Sequence, residues 1–234
     1  MEPHQKIIRQ TAKKILQPEG LFQKGTSRLW LDDNDYFMTL VEFQPHSYEK
    51  GCFLNVGVCF LWGHGRVMED GPDTFDIGGR VESAGLSYVP YDGQDDVFAK
   101  KTETLTRRAL EEVVEYRRLR DLTYAKERLV GRIPAESPFW EVYDAAMLCF
   151  FKGDYEDGMS CFQRFWEILD RSLSDSRVLI PWKEALYRLC REELLPGLSS
   201  AQAAQRMVCD SINRCRASFG AKPSLQKMKK NVVF

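Results

Sequence analysis

Four side chains suited to metal or acid–base chemistry lie close together in this sequence: His64, Asp70, Asp73 and Asp76, with Glu69 among them. Carboxylates and an imidazole in one loop could hold a divalent cation and activate a water, the chemistry of metal-dependent hydrolysis. A stretch this rich in Gly, Pro and Asp also makes Asx turns in a solvated loop, and that plainer reading is the expectation. No EF-hand spacing, HExxH or Walker motif accompanies the acids. No cofactor is therefore expected, and a divalent metal bound by the 64–76 loop is the alternative.

His46 and His64 each follow one of two β-prone segments, YFMTLVEFQ and CFLNVGVCFLW. Strands joined by the turn at 45–51 run antiparallel, so their last residues lie at opposite ends of the hairpin, about 33 Å apart for a ten-residue strand. That geometry disfavours a site shared by the two histidines. The third, His4, falls on a helical segment where a solvated role is expected. Cys52 and Cys59 sit in apolar strands and read as unreactive core thiols. Ser83 and Ser87 lack a GxSxG elbow, and Gly78-Gly79-Arg80 does not complete GxGxxG.

Gln44 and Asn55 are polar residues inside otherwise apolar strands, where an unsatisfied amide costs about 1–3 kcal/mol. They are expected to bond backbone groups or each other's strand. Alternatively they line a pocket between sheet and helices, with Trp30 and Tyr36 as its apolar walls.

Several elements must position these residues. Ile7, Ile8, Ala12, Ile15 and Leu16 form one apolar stripe, so a helix is predicted from His4 to Leu16, ended by Pro18 and Gly20. The two β-prone segments make the centre of a sheet, and Arg80 to Tyr88 reads as a further short strand. Leu105, Ala109, Val113, Tyr116 and Leu119 mark an amphipathic helix capped by Asp95 and Asp96, with a break near 120–123. Two helices meeting at Lys152, Gly153 and Asp154 are similar to the turn of a tetratricopeptide-like hairpin. A single unit reads more simply as an ordinary helical hairpin. Helices from Pro181 to Leu194 and from Ser199 to Phe219 follow, with Ser199 as a cap.

The order of a helix ending at Leu16, Pro18, Gly20, Leu21 and Phe22, an aromatic strand closing on Phe43 and Gln44, and a strand carrying Phe53, Asn55 and Gly57 resembles a family of uncharacterised bacterial proteins defined only as a domain of unknown function (DUF4304-like). The resemblance covers roughly the first third of the chain. It implies an α+β domain with an antiparallel sheet and carries no activity or catalytic residues.

The 33 basic and 34 acidic side chains nearly cancel, so no global field attracts nucleic acid or an anionic membrane. No apolar run approaches the roughly 18–20 residues of a membrane span, and the N-terminus does not read as a signal peptide. Seven scattered cysteines without a CxxC pair suit free thiols in a reducing cytoplasm. The fold expected is α+β: an N-terminal helix, an antiparallel sheet of three to five strands, then a helical C-terminal half packed on the sheet. The division expected is 1–131 for the sheet part, 132–219 for the helical hairpin region and 220–234 for a basic mobile tail. The function expected is a non-catalytic binding or protein-interaction module with another protein as partner, of the accessory or immunity type. The alternatives are the hydrolase above and a nucleic-acid-binding accessory protein using Arg107, Arg108, Arg117, Arg118 and Arg120, whose neighbouring glutamates favour a plain solvated face.

Overall fold

A computed structural model describes residues 1–63, 75–131, 139–174 and 181–225. Helix α1 (Pro3–Leu16) opens on a proline, whose missing N–H is harmless in a first turn, and it buries Ile8, Ala12, Ile15 and Leu16. Gly20, at φ +91°, ends it: the N–H of Gly20 donates to Gln17 O and that of Leu21 to Leu16 O. This two-bond closure needs a left-handed residue, which glycine adopts without penalty. His4 is only 8% exposed, packed by Tyr91 and Phe98 at ring distances of 5.5 and 6.5 Å, so the solvated role expected for it gives way to a buried one.

Six strands then form one antiparallel sheet: β1 (Phe22–Gln23), β2 (Leu29–Asp33), β3 (Phe37–Pro45), β4 (Gly51–Phe60), β5 (Ile77–Arg80) and β6 (Tyr88–Pro90). Their order is β1-β2-β3-β4-β5, with β6 also on β4. The two apolar segments are the central strands, as the alternation predicts. The strand expected from Arg80 to Tyr88 is split instead. Ser83 and Leu86 exchange backbone hydrogen bonds of 3.0 and 2.8 Å around Ala84 (φ 52°) and Gly85 (φ 76°). Left-handed backbone at both central positions is a type I′ turn, and after the short excursion it closes, β6 resumes along β4 where β5 ends, both strands running antiparallel to β4. Asn55 thereby faces Arg80, and Phe53 faces Tyr88.

Helix α2 (Asp95–Arg117) buries Phe98, Leu105, Ala109 and Val113. Asp95 and Asp96 occupy its first turn, where carboxylates meet the positive end of the helix dipole, and Gln94 takes the cap position. The expected break is a 3₁₀ turn at Arg118–Arg120, followed by α3 (Leu122–Leu129), whose cap Asp121 accepts from the N–H groups of Thr123 and Tyr124 at 2.9 and 3.3 Å. α1 and α2 share one apolar core with Trp30 of β2, Val41 and Phe43 of β3, and Cys52, Leu54 and Val56 of β4. Each such large side chain contributes about 1.5–3 kcal/mol when fully buried. The fold is α+β.

The described residues divide into two compact units: 1–59, 75–118 and 217–225 in the first; 60–63, 119–131, 139–174 and 181–216 in the second. The second is helical. It contains α4 (Phe139–Lys152), α5 (Tyr155–Ser174), α6 (Pro181–Leu189), a π-helical turn at Cys190–Leu194, α7 (Leu195–Gly197) and most of α8 (Ala201–Gly220). α4 is buried without interruption from Val142 to Phe151, so it is the core helix of its unit. Gly153 (φ +91°) closes α4 as Gly20 closes α1, through Gly153 N–H to Phe150 O and Asp154 N–H to Cys149 O. The cap of α8 is Ser200, whose Oγ accepts from Ala203 N–H at 3.2 Å, rather than Ser199. Of the expected tail, a 3₁₀ turn at Pro223–Leu225 is described and buries Leu225; residues 226–234 lie outside the described residues.

A candidate binding surface at one end of the sheet

Alternation along the central strands assigns their faces. Val41 and Phe43 enter the helix-covered core, so Glu42 and Gln44 emerge on the other face of β3; Cys52, Leu54 and Val56 likewise leave Phe53 and Asn55 on the other face of β4. Arg80 of β5 and Tyr88 of β6 stand opposite Asn55 and Phe53, which extends the same face outward. His46 and Tyr48 close it from the turn between β3 and β4.

Asn55 is 8% exposed, and its amide is satisfied by side chains: Nδ2 donates to Glu42 Oε2 at 2.8 Å and to Gln44 Oε1 at 3.1 Å. Gln44 Oε1 also accepts from Arg80 Nη2 at 3.0 Å. That bond holds the guanidinium over Phe53, with Cζ 3.8 Å from the ring centroid. Phe53 lies 4.7 Å from the ring of Tyr88, and His46 completes the group at 5.6 Å from Phe53 and 5.2 Å from Tyr88. His46 Nδ1 accepts from the N–H groups of Tyr48 and Glu49, both at 3.1 Å, which assigns a ring proton to Nε2. The Tyr88 hydroxyl donates to Lys50 O at 3.3 Å. Burial, and then the negative charge of Glu49, push its titration upward, so it remains a neutral donor. Tyr48, at the tip, is 94% exposed.

Of the four residues expected to form a pocket, the structure joins two. Gln44 and Asn55 are directly bonded. Trp30 pairs with Val41 and belongs to the helix-covered core, on the opposite face of the sheet. Tyr36 is buried against Phe37 at the other end of β3, about 26 Å from Gln44 by the rise of an extended strand. The expected walls are therefore replaced by Phe53, Arg80 and Tyr88. Parity along β4 marks Phe53 in the sequence; Arg80 and Tyr88 join it only because β5 and β6 both pair with β4.

Of the acidic loop, Asp76 is described: its N–H donates to Val58 O at 2.7 Å just before β5. His64, Asp70 and Asp73 lie outside the described residues. Among the described residues, no three His, Cys, Asp or Glu side chains gather as a metal set. No described helix is long and apolar enough to cross a membrane. Arginines considered for nucleic acid are bonded to acids: Arg107 to Glu103, Arg108 to Glu111 and Glu112, Arg117 to Asp32, and Arg118 to Glu115.

The surface offers a fixed guanidinium, aromatic faces, an imidazole and a carboxylate, groups suited to recognising a ligand or partner. No family model, curated protein or solved structure matches the chain.

Proposed function

We propose that this protein is a non-catalytic interaction module that engages another protein through the surface formed by Glu42, Gln44, His46, Phe53, Arg80 and Tyr88. The observation that carries this reading is Arg80, stacked on Phe53 and held there by Gln44, which is in turn fixed by Asn55. An arginine and aromatic rings held in place before binding lose little conformational freedom on contact, and these residue types concentrate binding energy at protein interfaces. The pairing of the arginines on α2 with acids favours a protein over a polyanion as partner.

The test compares proteins retained from the native host by the immobilised chain with those retained by Arg80→Glu and by Tyr48→Ala. Both variants alter exposed side chains and should keep the parent's melting temperature. A true partner is retained about 10-fold or more weakly by Arg80→Glu. A retained set that is unchanged in both variants, with both still folded, removes the surface from consideration.

A further inference from the structure

The second unit carries a cavity that the proposed interaction surface does not use. It lies between α8 and the π-helical turn at Cys190–Leu194, with a volume of about 290 Å³. In that turn Leu195 N–H donates to Cys190 O, five residues back instead of four. The wider turn shifts the phase of the helix by one residue, and such turns recur at functional sites. Glu193 and Leu194 belong to it, and both line the cavity.

The other wall is one face of α8, where residues three or four apart are neighbours. Ala203, Met207, Asp210 and Arg214 stand in a row on it, and Arg206 lies one turn before Asp210. Met207 reaches across to α7: an added Cβ on Gly197 would lie 2.5 Å from its Sδ. Asp210 is four residues from each arginine, a spacing at which opposite charges on a helix commonly pair. Among the described residues those pairs are not made, and Arg206, Asp210, Arg214 and Glu193 all stand exposed at the cavity without an ion-pair partner. Arg214 is positioned by Ser211 instead, its Nη2 donating to Oγ at 3.2 Å.

The balance of charge selects the ligand. Two guanidinium groups and two carboxylates cancel, so a simple anion would meet Glu193 and Asp210, and a simple cation would meet Arg206 and Arg214. A small molecule that carries both charges and has an apolar part matches the whole lining. We propose that this cavity binds a free α-amino acid with an apolar side chain. Its carboxylate accepts from Arg214, and its ammonium donates to Asp210, one turn away at about 6 Å along the helix axis. Its side chain lies along Met207 and Ala203, the next members of the same row. Arg206 and Glu193 complete the neutral surround.

Calorimetric titration of the full-length chain with L-leucine and L-methionine tests this. The result expected is saturable binding, about 10-fold or more weaker for L-leucinamide, which lacks the carboxylate, and for N-acetyl-L-leucine, which lacks the ammonium. Arg214→Gln and Asp210→Asn alter exposed side chains and should keep the parent's melting temperature, while each weakens L-leucine by about 10-fold. Absence of saturable binding of both amino acids up to about 10 mM overturns the proposal. So does equal binding of L-leucine, L-leucinamide and N-acetyl-L-leucine, and so does binding of L-leucine that both folded variants leave unchanged. The first two of these readings need no variant to fold.

Discussion

Arg117, in the last turn of α2, clasps Asp32 of β2 through two N–H···O bonds, Nε to Oδ2 at 2.9 Å and Nη2 to Oδ1 at 3.0 Å. Nη2 also donates to Glu19 O at 2.6 Å, just beyond α1. Asn34 Nδ2 bonds Asp32 Oδ2 at 3.0 Å and Thr39 Oγ1 at 3.1 Å. One carboxylate, 4% exposed, therefore ties together the ends of α1, β2 and α2 and the start of β3.

Removing the arginine leaves that carboxylate buried without its countercharge, a loss that typically costs 3 kcal/mol or more. Arg117→Ala is expected to lower the unfolding free energy by about 3 kcal/mol, and Arg117→Lys by about 1–2 kcal/mol, since an ammonium cannot make the two-point fork. Urea denaturation measures both. Equal, small losses for the two would show that the pair is a solvated contact.

His4 makes stability depend on pH. Its Nδ1 is buried without a hydrogen-bond partner, and its titration is lowered by burial, with Lys50 and Arg28 adding to the effect and Glu2 opposing it. The folded chain thus binds the proton more weakly than the unfolded chain. Stability is full above the unfolded value near 6.5 and is lost as pH falls through that value toward the folded one. Urea midpoints should drop between about pH 7.5 and 5.5 in the parent, and the drop should be shallower in His4→Phe. Parallel profiles for the two proteins would assign the slope to other groups.

How much of this was legible in the sequence follows from the range of the interactions. α1, the central strands, the break at Arg120 and the hinge at Gly153 follow from local periodicity and punctuation, and all stand where those signals put them. The candidate surface did not follow, because Arg80 meets Asn55 across 25 residues, and Tyr88 meets Phe53 only beyond a type I′ turn at Ala84 and Gly85, where a non-glycine residue adopts positive φ. Ala-Gly is a weak hairpin signal beside Asn-Gly, so the stretch read as one strand. His4 was misplaced for a related reason: its burial comes from Tyr91 and Phe98, far along the chain.

The glycines at the β4–β5 pairing give a sharp contrast. Gly78, at φ +131°, faces Gly57, and a Cβ on it would lie 2.3 Å from Val56 O and 2.4 Å from Gly57 Cα. Neither obstacle is a flexible side chain. Gly78→Ala is expected to cost about 2–4 kcal/mol and to loosen the strand that carries Arg80. Gly79 meets nothing within 4 Å, so Gly79→Ala should stay within about 0.5 kcal/mol of the parent. Thermal denaturation of the two variants side by side separates backbone strain from a generic effect of glycine replacement.

Asn55→Asp tests the network under the candidate surface with almost no change in shape. In the parent, the amide donates to two acceptors, Glu42 Oε2 and Gln44 Oε1. A carboxylate there has nothing to donate and faces the charge of Glu42, so near neutral pH the variant should lose about 2–3 kcal/mol. Protonation restores a donor and removes the repulsion. The new carboxyl therefore titrates higher in the folded than in the unfolded chain, and the deficit shrinks as pH falls through the folded value toward the unfolded one. Arg80 should also lose its fixed position as Gln44 turns to relieve the crowding, weakening partner retention even at temperatures where the variant is fully folded. A variant with the parent's stability at pH 7 and no gain on acidification would mean that Asn55 does not anchor the surface.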